Sequence, residues 1–214
     1  MSTIALSGGP IYSYSPSNER WGKFDGIVIS EGRIVSLRPE DAGTADTRAP
    51  RTRHFIEHFE LATPDQITRA ARLGIYLSMQ PQFDELWGHP GGMYDARLGA
   101  PRARTMNALG SAKRAGATQV GGDDSPVCRL SPLAGMRAAT NHHNPAERLD
   151  VEDALLMYTY DAARFGHAES QTGRLAPGYG ADFVVLEGDP IASGSFAGVR
   201  VAETWSEGMR VAVA

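Results

Sequence analysis

Between Gly26 and Leu37, Ile27 and Ile29 and then Ile34 and Ser36 alternate with other residues around Glu31-Gly32, a pattern that predicts a two-stranded hairpin. From Pro39 to Thr52 large apolar side chains nearly vanish among Gly, Ala, Thr, Asp, Pro and Arg, which predicts a join between two parts of the chain. Beyond it, Phe55 to Phe59 reads as a short strand, and Thr63-Pro64-Asp65-Gln66 reads as a helix start. Thr63 can cap, Pro64 suits the first helical position and Gln66 completes a capping box. Ile67, Ala70, Ala71 and Leu73 then share the buried face, and the helix ends at Gly74. The nearly continuous apolar run from Ile75 to Gln80 has the character of a strand covered on both faces. Strand, helix and strand in that order predict a parallel pair. A loop carrying Gly, Pro and Trp is expected from Pro81 to Gly92, a helix from about Pro101 to Ala115, and a third strand from Thr118 to Gly121 that runs into Asp123-Asp124-Ser125-Pro126. Two further helices are expected, from about Pro132 to Thr140 and from about Val151 to Phe165, the second capped by Asp150. The pattern returns to β at Ala181 to Leu186, Val199 to Trp205 and Met209 to Val213.

Composition narrows the class. Of 214 residues 42% are hydrophobic and 21% charged, which excludes a disordered or fibrous chain. A formal net charge of −4, with no run of basic residues, gives no field for a phosphate backbone, so nucleic acid is not an expected partner. The single cysteine, Cys128, has no internal disulfide partner and reads as a reduced thiol behaving as a small buried hydrophobe. Met1 to Leu6 lacks a cationic stretch followed by a long apolar core, and no segment reaches the ~20 apolar residues of a membrane span. A soluble, cytoplasmic protein without a membrane partner is the expectation.

His58 closes the first strand of the central region and Asp124 follows the third, so in a parallel sheet both project from the carboxyl edge, where α/β folds assemble their sites. Imidazole and carboxylate suit zinc and related metals, and the carboxylate can also take a proton from water. Each has a plainer reading, His58 as a strand-end histidine bonded to backbone and Asp124 or Asp123 as a cap before Ser125-Pro126. Gln80, at the end of the second strand, can bond a substrate or its own loop. His89 lies in the Gly-rich stretch Trp87 to Gly92 and is either part of a mobile lid or a surface histidine. His142 and His143 are adjacent, point about 100° apart on a helix and do not form the i, i+4 metal pair.

Three stretches, Arg53 to His58, Gly74 to Pro81 and Gly122 to Val127, resemble consecutive strand motifs of the amidohydrolase superfamily, in its YtcJ-like or family 3 branch. The Gly32-Arg33-Ile34-Val35 hairpin and the ending Gly173 to Gly178 followed by Ala181 to Leu186 resemble the two halves of that family's small β-sandwich. The resemblance implies an α/β fold. Residues 53–174 would form about the last three βα units of a (βα)8 barrel, and residues 1–48 and 175–214 the sandwich. It implies hydrolysis of a carbon–nitrogen bond in a small amide-type substrate by a metal-activated water. His58 would be the metal histidine of the sixth barrel strand. Asp124 would be the aspartate of the eighth, both metal ligand and proton shuttle, with Gln80 at the mouth of the seventh. Gln80, His89 and Asp123 are the expected substrate contacts, and a divalent metal, zinc first, the expected cofactor.

The sequence departs from that pattern in its length and its ligands. No His-x-His is present, and Phe55 and Asp123 stand where the family more often has Arg and Ser. Arg53 to Thr172 supplies about 120 residues, whereas a full barrel takes about 250. The chain thus resembles an amidohydrolase without the first five-eighths of its barrel. Two ligands hold zinc less well than three, so the alternative expectation is a catalytically incomplete domain that binds or oligomerises through an open sheet edge.

Overall fold

A computed structural model describes the backbone of residues 3–15, 20–30, 33–36 and 53–211 and the side chains of residues 53–211. The chain divides into two units, Met1–Thr52 and Arg53–Ala214.

In the first unit β1 (Thr3–Ser15), β2 (Arg20–Ser30) and β3 (Arg33–Ser36) form an antiparallel sheet in that order. The predicted hairpin strands pair as Ile29 with Ile34 and Ser30 with Arg33. The turn residues Glu31 and Gly32, and the expected join from Pro39 to Thr52, lie outside the described residues. β1 was not expected from the sequence pattern. Its register shifts between Ser7 and Ile11, where Gly8, Gly9 and Pro10 interrupt the alternation that marks a strand.

In the second unit β4 (Phe55–Glu57), β5 (Tyr76–Met79) and β6 (Gln119–Gly121) form a parallel sheet with β5 central. The crossover from β4 to β5 is α1 (Pro64–Arg72), begun by the predicted capping box: Thr63 Oγ1 accepts from Gln66 N–H, and Gln66 Oε1 accepts from Thr63 N–H at 2.8 Å. Ile67 and Ala70 face the core, while Leu73 lies outside it. All four residues of β5 are buried. Leu77 and Met79 meet Ile67, Leu109, Ala112, Ala154, Met157 and Phe196 on one face of the sheet, forming the main core. The period of two sends Tyr76, Ser78 and the following Gln80 to the other face. There Phe165 meets both Phe55 and Tyr76, which are cross-strand partners.

The expected loop from Pro81 to Gly92 instead begins with α2 (Pro81–Trp87), since Pro81 fits a first helical position as readily as a loop. α3 (Met93–Leu98) follows. The expected helix from Pro101 to Ala115 is two pieces, α4 (Ala100–Ala103) and α5 (Leu109–Arg114). Buried Asn107 divides them: it takes φ +50°, and its N–H donates to Glu60 O at 2.7 Å, a long-range bond that no continuous helix could make. α6 (Pro132–Thr140) forms as expected, whereas the last long helix breaks at Thr159 into α7 (Val151–Tyr158) and α8 (Tyr160–Phe165). β7 (Phe183–Glu187), α9 (Pro190–Ser193), β8 (Arg200–Ser206) and β9 (Met209–Val211) complete the unit, with β7, β8 and β9 in an antiparallel sheet. Among the described residues no helix is long and apolar enough to cross a membrane.

Candidate metal and hydrolase site

β4 and β6 lie on either side of β5, so the residues after each strand meet at one rim. His58 follows β4 with φ +68° and Asp124 follows β6 with φ +48°, both in the left-handed region that a side chain disfavours. These turns swing the two side chains off the strand directions. His58 Nε2 stands 4.0 Å from Asp124 Oδ2, with the side chains 40% and 43% exposed.

The other ring nitrogen of His58 is held from below. His58 Nδ1 is 2.8 Å from Gln80 Oε1, and Gln80 is 3% exposed. The Gln80 amide group donates to Glu57 Oε1, which also accepts the Ser78 hydroxyl at 2.8 Å. Glu57 and Ser78 are register partners in the β4–β5 ladder, which fixes that pairing. The Phe83 ring stacks on His58 at 5.8 Å and 14°. Glu60 Oε1 lies 3.8 Å from His58 Nδ1, and its other oxygen accepts the Tyr94 hydroxyl at 2.9 Å. Burial pushes the Tyr94 phenol far above its usual range, so it remains a donor.

Asp123 turns inward, where one oxygen accepts from Gln82 Nε2 at 2.7 Å and the other from Ser131 N–H at 2.8 Å. This buried carboxylate ties the start of α2 to the start of α6. His89 is exposed, with Nδ1 3.2 Å from Pro90 O, a contact within its own loop. Cys128 is buried, and burial followed by the nearby Asp123 and Asp124 charges raises its thiol pKa.

A second constellation was not foreseen. Asp84, His142 and His143 bring three ligand-capable atoms within 4.8 Å of one another. Their hydrogen bonds argue against a metal there. His142 Nδ1 accepts the Asn144 N–H at 3.0 Å, so in the neutral ring the proton sits on Nε2, 3.1 Å from Asn107 O and 3.2 Å from Asp84 Oδ1. No lone pair of that ring is left for an ion. His143 Nδ1 bonds Asp84 Oδ1, and its N–H donates to Asp84 Oδ2 at 2.9 Å. Desolvation lowers the His142 pKa, with Asp84 opposing, which fits a neutral buried ring in a structural node.

His58 at the rim does meet the requirements. An imidazole bonded through one nitrogen to an acceptor presents the other as a ligand, which is how second-shell groups orient metal histidines. The gap to Asp124 is one that a single cation with ligand bonds of about 2.1 Å can bridge after a sub-ångström approach. Of the residues around this rim, the sequence reading missed Glu57. Its signal was faint: an acid directly before a strand-end histidine, on the sheet face that Ser78 and Gln80 share.

The model of the amidohydrolase family matches residues 33–212. "Putative amidohydrolase YtcJ" of Bacillus subtilis (strain 168) is 35% identical over 148 residues, 63% of this chain and 27% of that protein. "Protein LONG AFTER FAR-RED 3" of Arabidopsis thaliana is 33% identical over 152 residues, 66% of this chain and 26% of that protein. This chain therefore spans about a quarter of the length of the curated relatives it matches. Among solved structures, an uncharacterized metal-dependent hydrolase from Pyrococcus horikoshii OT3 matches with a TM-score of 0.56 and 30% identity, over 65% of this chain and 30% of that one.

Proposed function

The chain belongs to the amidohydrolase family, and from that premise we propose that its β4–β5–β6 rim is part of the active site of a metal-dependent hydrolase that cleaves a carbon–nitrogen bond in a small amide-type substrate. The observation that carries the reading is the approach of His58 Nε2 to Asp124 Oδ2, 4.0 Å apart at the carboxyl edge of a parallel sheet. When bound, a divalent cation such as zinc lowers the pKa of water and polarises a carbonyl. His58 would hold that ion through Nε2. Asp124 would share it, accept a proton at a carboxylate oxygen as water adds to the carbonyl, and return it to the leaving nitrogen. Gln80 has both ends of its amide engaged with His58 and Glu57, so it supports the histidine rather than contacting substrate. Asp123 likewise spends both oxygens on Gln82 and Ser131, which favours a structural role over substrate binding.

A second reading, a binding or oligomerising domain without turnover, is favoured by β4, an edge strand whose Phe55 and Ile56 are 52% and 37% exposed. One set of measurements separates the two: zinc bound per chain at equilibrium, turnover of a panel of N-acyl amino acids, and mass in solution. The hydrolase reading expects zinc binding weakened at least tenfold in both His58→Ala and Asp124→Ala, with turnover lost in each. Zinc binding indifferent to both substitutions overturns it. Absence of turnover in a chain that self-associates through β4 supports the second reading.

A further inference from the structure

The Glu57 carboxylate reaches the His58 ring only through the Gln80 amide, yet its position decides which nitrogen of His58 can meet a ligand. We propose that Glu57 is a positioning residue: acting through the Gln80 amide, it fixes His58 as the Nδ1–H tautomer and so turns an Nε2 lone pair toward Asp124. The inference deepens the proposed function and rests on it for its purpose, although the tautomer assignment stands on hydrogen bonding alone.

The logic is one of donors and acceptors. A carboxylate has no hydrogen to give, so the Gln80 group facing Glu57 Oε1 must be the NH2 end. An amide is planar, and the Gln80 oxygen is thereby turned to His58 Nδ1 at 2.8 Å. That oxygen can only accept, so Nδ1 must carry the hydrogen. In a neutral imidazole Nε2 is then the unprotonated nitrogen. The opposite arrangement, with Gln80 flipped, would set its oxygen against the Glu57 carboxylate and leave its NH2 facing His58.

The surroundings keep the relay from relaxing. Ser78, buried and opposite Glu57 in the strand register, donates its hydroxyl to the same Glu57 oxygen at 2.8 Å. Gln80 itself is 3% exposed, so its amide has little room to reorient toward solvent. The stacked Phe83 ring limits rotation of the His58 ring. Three consecutive features of the sheet therefore converge on one proton position: the Glu57–Ser78 register pair, the strand-end Gln80 and the left-handed turn at His58.

Glu57→Gln tests this with little change of shape, because a glutamine can face Gln80 with either its oxygen or its NH2 and no longer dictates the amide's orientation. The full chain labelled with 15N-histidine, free of metal and at a pH where imidazoles are neutral, is read by two-bond 15N–1H correlation, with His58 assigned by its loss in His58→Ala. The expected result is Nδ1–H at His58 in the wild type, a mixture containing Nε2–H in Glu57→Gln, and the same relaxation in Gln80→Met, with thermal unfolding confirming that each variant is folded. Zinc binding in Glu57→Gln is expected to weaken about tenfold, the usual effect of removing such an outer partner, and to recover in part in Glu57→Asp. An Nε2–H wild-type ring, or Nδ1–H retained in both variants, overturns the proposal. If the tautomer responds as expected while zinc binding ignores His58→Ala, the relay stands and the metal reading of the rim falls.

Discussion

Asp84 Oδ2 accepts the backbone N–H of His143 at 2.9 Å, which joins α2 to the residues that follow α6. The other oxygen of this 2%-exposed side chain meets both His142 and His143. Asp84→Asn would turn a donor toward groups that themselves donate, and a buried polar group left unmatched costs about 1–3 kcal/mol. Urea unfolding of Asp84→Asn should show a loss of that size, with zinc bound per chain unchanged. A fall in zinc stoichiometry would mean that the node, rather than the rim, holds the ion.

The ring of Tyr158 rests on two glycines. A Cβ on Gly121 of β6 or on Gly135 of α6 would fall inside the space of the Tyr158 ring or hydroxyl. Gly121→Ala and Gly135→Ala should each destabilise the chain by roughly 1–3 kcal/mol, as overpacking does. In the Tyr158→Ala background the added cost should shrink, so a double-mutant cycle that comes out additive would refute the packing account.

The bidentate contact of Arg53 with Glu169 holds the Glu169 carboxyl well below its usual range, at about 2. A carboxyl whose folded pKa is depressed contributes stability that is present above the ordinary carboxylate value and is lost as pH falls toward the folded one. The stability difference between wild type and Glu169→Gln should therefore be constant near neutrality and close progressively from about pH 4.5 toward pH 2, as read from urea midpoints.

His142 gives a dependence of the same sign in a higher pH window. Burial lowers its pKa, with Asp84 and Glu147 opposing and His143 reinforcing the shift. The unfolded chain then binds a proton that the folded chain refuses, so stability should fall as pH drops through about 6.5, the ordinary imidazole value. Thermal midpoints measured from pH 8 to pH 5 should decline more steeply in the wild type than in His142→Gln.

Much of the second unit was legible in the sequence because its signals are local. Thr63, Pro64 and Gln66 announce α1 within four residues, and Asp150 and Ser131 cap their helices with side chains that reach three residues on. The breaks were not legible. Asn107 and Thr159 interrupt stretches of helical character, and at Asn107 the cause is a bond to Glu60, distant in the chain. α2 was hidden because Pro81 and the glycines at 88, 91 and 92 are as common in loops as beside short helices.

By itself the sequence determined which residues end each strand of the parallel sheet, and so that His58, Gln80 and Asp124 would stand at its carboxyl edge; strand and cap signals act over a few residues, and chain order carries them. Only the tertiary structure decided what each side chain is free to do there. The lone pair of His58 depends on Gln80 and Glu57, and the carboxylates of Asp123 and Asp84 are consumed by Gln82, Ser131 and His143. Hydrogen bonds of this kind are set by register and packing between segments as many as 59 residues apart, a relationship that local pattern does not encode.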